Sequence, residues 1–269
     1  MNFERDNNDI ILYQDDFDLD ETLDCGQAFR WTKISENTYC GYFLNNYLEI
    51  VQESDRFLLR NTSEEDMKNI WIKYFDLDTD YGVLKKRFSK DKILEQACRF
   101  AGGIRLLRQD PWECLCSFII SQNNNIPRIK GIISRLCSKY GQFPTPQMLS
   151  GENEESLQYL RAGFRAKYIL DAASRISSGI IEFDNISELS YDEAKNKLML
   201  IKGVGPKVAD CVLLYGMYRT EAYPVDVWIK RVMENFYPDG MPACTRGYEG
   251  IAQQYLFHYI RSNKDIILK

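Results

Sequence analysis

The residues of this sequence most able to do chemistry form a Gly-Val-Gly turn that proline and lysine follow at once. A helix is predicted to end near Leu200, and Pro206 suits the first turn of a second helix, where its missing N–H is not needed. Gly203 and Gly205 permit positive φ and a close backbone approach. The N–H groups that begin the second helix could therefore hold a phosphate. An ordinary helix–helix turn is the alternative, but the apolar residues on both sides favour a DNA-binding hairpin.

Lys207 lies in the first turn of that second helix, where the helix dipole repels a cation. This repulsion, together with burial, favours the neutral amine, a nucleophile that can attack carbon and form a Schiff base. A lysine that contacts phosphate is the alternative, and its position alone does not decide between them. Asp226 follows Pro224 and precedes an apolar helical run, so it is predicted to be an N-cap. If it faced Lys207, its carboxylate could also stabilise a cationic sugar during glycosidic bond cleavage.

The elements that position these residues are predicted from periodicity. Two apolar runs, 39–44 and 47–52, flank an Asn-Asn pair and predict a hairpin, to which residues 56–60 could add a third strand. Residues 28–31 could begin another strand. From about Ser63 the spacing becomes helical. The predicted helices begin at Pro111 or cover 126–140, 152–160, 166–178, 191–199, 207–216 and 247–260.

The sequence therefore predicts an α+β protein, with a small antiparallel sheet domain over residues 1–100 and an all-helical domain over residues 101–269. The net charge of −5 argues at first against a nucleic-acid partner. However, residues 1–25 hold nine acidic residues and one basic residue, so the rest of the chain is slightly positive. Residues 99–140 and 161–175 are the most basic stretches. Because a polyanion responds to the local field, DNA stays open as a partner.

Several other classes are disfavoured by composition. With His258 as the single histidine, a catalytic triad or a histidine-rich zinc site would have to be built around it. No apolar run reaches the length of a membrane span, and the acidic N-terminus lacks a signal pattern. The eight cysteines include no C-x-x-C pair and are expected to be reduced thiols in a cytosolic protein.

The hairpin and the segment around Asp226 resemble the helix-hairpin-helix, Gly/Pro-rich, aspartate (HhH-GPD) superfamily of DNA glycosylases. The resemblance is carried by Ile-Lys-Gly-Val-Gly-Pro-Lys-Val-Ala-Asp-Cys at 201–211 and Pro-Val-Asp-Val at 224–227. Further segments are similar to 8-oxoguanine DNA glycosylases of the eukaryotic type, and they cover 26–31, 106–111, 123–128 and 163–168. The matching segments keep their order from about residue 20 to residue 260.

The resemblance implies a TATA-binding-protein-like sheet domain followed by a helical glycosylase domain. Iron–sulfur members carry four clustered cysteines after the catalytic region, whereas only Cys244 follows Cys211 here, so no cluster is expected. Lys207 implies a glycosylase that is also a β-lyase. No cofactor is required for the chemistry, although a structural monovalent cation could bind the hairpin carbonyls near Met199, Ile201 and Val204.

Site residues follow from the same resemblance. Oxidised guanine carries a hydrogen on N7, where guanine has a hydrogen-bond acceptor. One backbone carbonyl can therefore accept a hydrogen bond from the oxidised base and repel guanine, once the base has left the duplex. Catalysis is implied for Lys207 and Asp226. The remaining implied roles are base binding by Gly26, Cys211, Gln253 and Phe257, wedging and opposite-base contact by Asn123, Arg128, Phe164 and Arg165, and DNA backbone contact by Gly203, Gly205, Val208 and Trp228.

Taken singly, some of these residues have plainer interpretations. Phe257 would be a core residue, Gln253 a solvated helix residue, and each arginine a phosphate contact. Phe164 stands where the family commonly has tyrosine, which puts strict opposite-base preference in doubt. Trp228 stands where the family commonly has histidine, which suggests stacking or packing in place of a hydrogen bond.

The expected function is excision of 8-oxoguanine, opposite cytosine, by a bifunctional DNA glycosylase and AP lyase. The expected partner is double-stranded DNA, bound by a monomer without a membrane, in the cytoplasm of a prokaryote or the nucleus of a eukaryote. Two alternatives are a related glycosylase for another oxidised or mismatched base, and a non-catalytic module that recognises damaged DNA.

Overall fold

The computed structural model describes residues 2–266, and contacts divide the chain into two compact units. One unit holds the residues up to Arg108 together with those from Val225 onward. The other unit is Gln109–Pro224. The domain boundary between residues 100 and 101 stays a prediction. The first structural unit is formed by two separate segments of the chain, and the second unit lies between them in sequence.

The first unit contains a six-stranded antiparallel sheet. Its strands are β1 (Asn2–Asp6), β2 (Asp9–Tyr13), β3 (Trp31–Ser35), β4 (Thr38–Phe43), β5 (Asn46–Gln52) and β6 (Phe57–Leu59). They lie in the order β1-β2-β6-β5-β4-β3. Alternate residues such as Leu48 and Ile50 are buried, because successive strand residues point to opposite faces. The β1–β2 hairpin was not predicted from the sequence, although residues 10–13 of β2 form an apolar run.

The predicted β4–β5 hairpin and the following strand β6 are confirmed, but the turn is shifted by one residue. Phe43 pairs with Asn46, so the two-residue loop is Leu44-Asn45, and Leu44 has a φ of +53°. The register places Tyr39 opposite Ile50, and both side chains are buried. Burial of one face of the sheet therefore overrides the local preference of asparagine for the strained position.

The helices complete the fold and confirm the predicted α+β class. They are α1 (Leu19–Leu23), α2 (Glu64–Asp66), α3 (Ile72–Tyr74), α4 (Tyr81–Phe88), α5 (Lys92–Phe100), α6 (Pro111–Ser121), α7 (Ile126–Tyr140), α8 (Pro146–Ser150), α9 (Arg165–Ser177), α10 (Phe183–Ser187), α11 (Tyr191–Leu198), α12 (Pro206–Cys211), α13 (Val227–Phe236) and α14 (Glu249–Ser262). Two π-helical segments, Met67–Trp71 and Val212–Gly216, continue α2 and α12. In the described residues no helix is long and apolar enough to cross a membrane.

One predicted helix is wrong. Residues 152–160 form turns and end in a short 3-10 helix, Gln158–Leu160. Asn153 accepts a hydrogen bond from the Ser156 N–H at 2.9 Å, and the Ser156 hydroxyl accepts one from the Asn153 N–H at 3.1 Å. These local side-chain bonds offer the backbone an alternative to the α-helical ladder.

Several of the acidic residues near the N-terminus have structural partners. Asp18 caps α1 by accepting the Glu21 N–H at 2.9 Å, and Asp20 accepts bonds from Lys33 and from the Tyr39 hydroxyl, each at 2.6 Å. Asp9 pairs with Arg60 at 2.8 Å. These carboxylates thus stabilise the sheet unit itself.

Arg105 is a buried charged side chain of the first unit with several hydrogen bonds, and it is 1% exposed. Its guanidinium donates to the carbonyls of Asp16 at 2.9 Å, Asp76 at 2.7 Å, Thr79 at 3.3 Å and Asp15 at 3.1 Å. It thereby joins the segment before α1 to the segment before α4.

Replacement of Arg105 by methionine is expected to lower the free energy of unfolding by about 3 kcal/mol, because the buried carbonyl of Asp76 and three partly buried carbonyls lose their donor. The same substitution at Arg99, which is 78% exposed in an ion pair with Glu95, should cost no more than about 0.5 kcal/mol. Urea denaturation measures both. Equal losses in the two variants would contradict the role given to Arg105.

Candidate active site

The Gly-Val-Gly hairpin joins α11 to α12 in the second unit, as the sequence predicts. Gly203 has a φ of +80°, and a Cβ added there would lie 2.3 Å from Cδ2 of Tyr168. Glycine is therefore required at 203 by conformation and by space. Gly205 differs from the expectation, since its φ of −97° is ordinary and nothing lies within 4 Å of an added Cβ. Because glycine has no side-chain heavy atom, Gly205 leaves the start of α12 open.

No side chain caps the N-terminus of α12, where Pro206 occupies the first turn. The first N–H groups of a helix lack an intrahelical carbonyl, so those of Lys207 and Val208 are free to bind an anion. The Val208 side chain is buried and leaves only its backbone for such a contact. The hairpin thus has the features of an anion site without long basic side chains.

The half-buried side chain of Lys207 lies against an aromatic pair. Its Nζ is 4.9 Å from the ring centroid of Phe118, and that ring stacks on Tyr215 with centroids 5.3 Å apart. Cys211, one turn further along α12, is buried, and its carbonyl lies 3.6 Å from Sγ of Cys114. The ring of Phe118 limits where the amine can move.

The one carboxylate on α12, that of Asp210, is bonded by residues of α11. Asp210 is buried and accepts bonds from the Tyr191 hydroxyl at 2.6 Å and from Lys195 Nζ at 2.8 Å on α11. Among the described residues of this unit, no carboxylate lies within 4 Å of Lys207 Nζ. Its amine therefore has no acidic partner within the unit.

A second part of this unit contains the predicted wedge. Asn123 is exposed with a φ of +47°, in the loop 122–125 between α6 and α7. Arg128 is exposed and makes one long bond of 3.4 Å to the carbonyl of Arg161. Phe164 is 46% exposed, and its ring centroid lies 4.4 Å from Cζ of Arg165.

Arg165 differs from the other predicted opposite-base residues because it is buried, at 3% exposure. All of its nitrogen atoms donate to backbone carbonyls, those of Gln122, Asn123 and Ala162. Burial, and secondarily the charge of Arg128, lowers the pKa of the Arg165 guanidinium from its usual range.

In the first unit, Asp226 is the N-cap of α13, which confirms the predicted cap. Its Oδ1 accepts the N–H groups of Trp228 at 3.0 Å and Ile229 at 2.8 Å. The Trp228 ring lies between two cations, with Arg231 Cζ 5.5 Å and Lys264 Nζ 5.6 Å from its centroid. The position where the family commonly has histidine is thus surrounded by positive charge.

The predicted base-reading residues of the first unit lie on two segments. Gln253 and Phe257 are one turn apart on α14, so they share a face. Gln253 is 4% exposed, and its Oε1 has no hydrogen-bond partner. Burial, and secondarily Arg261, lowers the pKa of the adjacent His258. Gly26 has a φ of +91° and precedes the buried Gln27.

Gln27 fixes the backbone next to Gly26. Its Nε2 donates to the carbonyls of Thr22 at 2.9 Å and Arg105 at 2.8 Å, and its Oε1 accepts the Leu107 N–H at 3.0 Å. The bonds of Gln27 were not predicted from the sequence, because Arg105 and Leu107 are distant from it in the chain. The contacts of Phe118 with Lys207 and of Arg231 and Lys264 with Trp228 were not predicted either. The Gly-Gln pair in 26–31 was the one available signal.

Comparison with known families matches nearly the whole chain. The N-terminal domain of 8-oxoguanine DNA glycosylase matches residues 9–115, and the HhH-GPD superfamily of base excision DNA repair proteins matches residues 116–241. The resemblance stated from the sequence is thereby confirmed.

Individual relatives agree with this match. A probable N-glycosylase/DNA lyase of Methanothermobacter thermautotrophicus is 33% identical over 266 residues, which cover 83% of each chain. The structure of MBOgg1 in complex with a low affinity DNA ligand superposes with a TM-score of 0.91 at 41% identity, over 98% of this chain and 99% of that one. The 8-oxoguanine glycosylase/lyase of Clostridium acetobutylicum, in complex with DNA that has cytosine opposite 8-oxoG, gives 0.88 at 36% identity, over 98% and 99%.

Replacement of Gly203 by alanine is expected to destabilise the protein by about 2 kcal/mol or more. The alanine would have to keep a left-handed φ, and its Cβ would meet the Tyr168 ring. The matched control is Gly205→Ala, whose Cβ meets open space and whose cost should stay below about 1 kcal/mol. Thermal and urea unfolding measure both. A Gly205 variant as unstable as the Gly203 variant would contradict this account of the hairpin.

Proposed function

The chain belongs to the N-glycosylase/DNA lyase family that joins an 8-oxoguanine DNA glycosylase N-terminal domain to an HhH-GPD domain, and from this premise we propose that it excises 8-oxoguanine from duplex DNA. The proposed reaction is glycosylase cleavage followed by β-elimination at the resulting abasic site. The proposed opposite base is cytosine, as in the DNA bound by the Clostridium acetobutylicum enzyme.

The observation that carries this proposal is the placement of Lys207. The amine projects from the open start of α12, directly after the hairpin, with the Phe118 ring on one side and no acidic partner in its unit. A lysine amine in its neutral form is a competent nucleophile for carbon.

In the proposed reaction Lys207 Nζ attacks C1′ of the lesion nucleotide, and the base leaves with the electrons of the glycosidic bond and takes up a proton. The sugar ring opens to give a Schiff base between C1′ and Nζ. Loss of a proton from C2′ then expels the 3′ phosphate. Asp226 stabilises the positive charge that develops on the sugar and relays protons.

Recognition of the lesion is proposed to use hydrogen-bond polarity. The Gly26 carbonyl accepts the N7 hydrogen that guanine lacks. Gln253 reads the Watson–Crick edge of the extruded base, and the unpartnered Oε1 of its buried amide supports this role because such an acceptor favours a donor in the ligand. Phe257 and Cys211 are proposed to lie against the two faces of the base.

DNA contact is proposed to use backbone groups and a few cations. Gly203, Gly205 and Val208 offer N–H groups to a phosphate, and Trp228 packs near the backbone. Arg231 and Lys264 against the Trp228 ring supply positive charge that the indole lacks. Asn123 is proposed to fill the space left by the base, with Arg128, Phe164 and Arg165 at the opposite base.

No cofactor is proposed for the chemistry. A structural monovalent cation is proposed at the hairpin carbonyls of Met199, Ile201 and Val204, because oxygen donors suit hard cations. The Ile201 carbonyl also accepts the Val204 N–H at 3.0 Å. The proposed form is a monomer acting where the genome lies, in the nucleoid or the nucleus.

Lys207→Gln is expected to abolish trapping of a covalent protein–DNA adduct by borohydride and to slow excision by about a thousandfold or more, because glutamine is a polar side chain of similar size that has no nucleophilic amine. The assay uses an 8-oxoguanine duplex with the wild type as the reference. An adduct formed by this variant would show that another residue is the nucleophile. Strand cleavage by the wild type would exclude a non-catalytic module that only binds damaged DNA. A panel of lesions and opposite bases would distinguish an 8-oxoguanine glycosylase from a related glycosylase for another base.

Asp226→Asn is expected to bind lesion DNA with little change in Kd while excision slows by about a hundredfold. Asparagine caps a helix as well as aspartate does, so the variant should remove the charge and keep α13 intact. Thermal unfolding checks the fold, and single-turnover kinetics measure the rate. Wild-type turnover would reduce Asp226 to a cap.

A further inference from the structure

We propose that helix α9 links the Gly-Val-Gly hairpin to Phe164, and that Tyr168 and Asp171 on this helix are the positioning residues of the link. The inference rests on the proposed function in two respects, that the hairpin holds a phosphate of the duplex and that Phe164 lies at the opposite base. Neither Tyr168 nor Asp171 has to touch DNA in this role.

Asp171 holds the start of the hairpin turn by its backbone. Its Oδ2 accepts the Lys202 N–H at 2.7 Å, and Lys202 directly precedes Gly203. The same oxygen accepts a bond from Nε of Arg175, one turn further along α9, also at 2.7 Å. Because the guanidinium offsets the charge of the carboxylate, Asp171 can bond the hairpin without strong repulsion of a phosphate bound there.

Tyr168 packs against the next residue of the turn. It precedes Asp171 by three positions, so the two side chains share a face of α9. A Cβ added to Gly203 would lie 2.3 Å from Cδ2, 2.4 Å from Cγ and 2.6 Å from Cε2 of the tyrosine ring. The ring therefore occupies the space that a side chain at 203 would need, and α9 holds both residues with which the turn begins.

The same tyrosine ring contacts Phe164 at the other end of the link. The two ring centroids are 5.8 Å apart with an interplanar angle of 69°, which is an edge-to-face geometry. Phe164 is the N-cap of α9 and is 46% exposed, so Tyr168 bounds its ring on the side of the helix. A displacement of the hairpin would thus move the Tyr168 ring and, through it, Phe164.

This arrangement gives two proposed DNA contacts a fixed separation. A duplex presents its phosphates and its bases at set distances, and α9 is a continuous helix of 13 residues. Once the hairpin holds a phosphate, Phe164 is already placed for the opposite base without a separate ordering step. Loss of Tyr168 or Asp171 should therefore change opposite-base preference or DNA affinity, and not stability alone.

The kinetic test measures single-turnover excision of 8-oxoguanine opposite each of the four bases, in Tyr168→Leu, Phe164→Leu and the double variant. In Phe164→Leu the ratio of the rate with cytosine to the rate with adenine is expected to change by about threefold or more. Tyr168→Leu should change this ratio in the same direction, and the double variant should show no further change. Tyr168→Phe keeps both ring contacts and should preserve the ratio, whereas a loss of stability alone would slow excision equally with all four bases.

Three results of this test would overturn the proposal. An unchanged ratio in Tyr168→Leu would show that the ring does not place Phe164. Independent, multiplicative changes in the double variant would show that Tyr168 acts by another route. An unchanged ratio in Phe164→Leu would show that Phe164 does not read the opposite base, so that the link would have no reader to position.

Affinity for undamaged duplex DNA tests the contact of Asp171. If this residue acted by charge alone, Asp171→Ala and Asp171→Asn would both bind DNA more tightly, since each removes a negative charge near the hairpin. As a positioning residue, its replacement by alanine should weaken binding by about fivefold, whereas asparagine keeps an acceptor for the Lys202 N–H and should stay within about twofold of the wild type. Asp184→Ala, on an exposed acid of α10, is the control for net charge. Tighter binding by Asp171→Ala would contradict the link.

Amide hydrogen exchange tests the link without DNA, and it remains informative if Tyr168→Leu does not fold. In Asp171→Ala the Lys202 amide should exchange about tenfold faster or more than in the wild type, because it loses its acceptor. Unchanged exchange of this amide would overturn the proposal. A wild-type protein that did not excise the lesion would instead overturn the proposed function and leave the exchange result standing.

Discussion

Backbone carbonyl groups at chain reversals accept hydrogen bonds from arginine side chains in both units, and the positions of the candidate site residues depend on these bonds. Arg105 bonds four such carbonyls in the first unit, and its own carbonyl accepts Gln27, the residue after Gly26. In the second unit Arg165 donates to carbonyls of the loop 122–125, and Arg135 donates to the carbonyl of Leu160 at 2.7 Å. A guanidinium suits this task because its donors are numerous and rigidly arranged.

The distribution of charge follows the same division of roles. Many carboxylates of the acidic N-terminal segment cap helices or pair with lysine and arginine, so they are committed to the fold. Arg105 and Arg165 are likewise buried, and they donate to backbone carbonyls instead of contributing to a basic surface. The net charge of −5 therefore says little about DNA binding, which in this protein is proposed to depend on the open start of α12 and a few cations. Specific contacts with the extruded base should then dominate over long-range attraction to the duplex.

Local chemistry made the hairpin, the proline at the start of α12 and the Asp226 cap predictable, because each rests on residues within a few positions of one another. Tertiary contacts decided the rest. The turn at Leu44-Asn45 follows from burial of one sheet face, and the loop at 152–160 from two side chains that compete with a helix. The Phe118 ring beside Lys207 comes from a helix far away in sequence. No periodicity in the sequence could indicate that contact.

The unpartnered oxygen of Gln253 supports the base-reading role that is proposed for this residue. A buried acceptor without a donor costs about 1–3 kcal/mol, and native proteins contain few of them. The helix α14 holds this amide one turn from Phe257, so a planar ligand against the ring would bring its edge toward the oxygen. A base with N–H donors on that edge removes the cost, whereas one with an acceptor there adds repulsion. In the proposed function, selectivity for a purine of guanine type depends on this oxygen, which has no hydrogen-bond donor in the free protein.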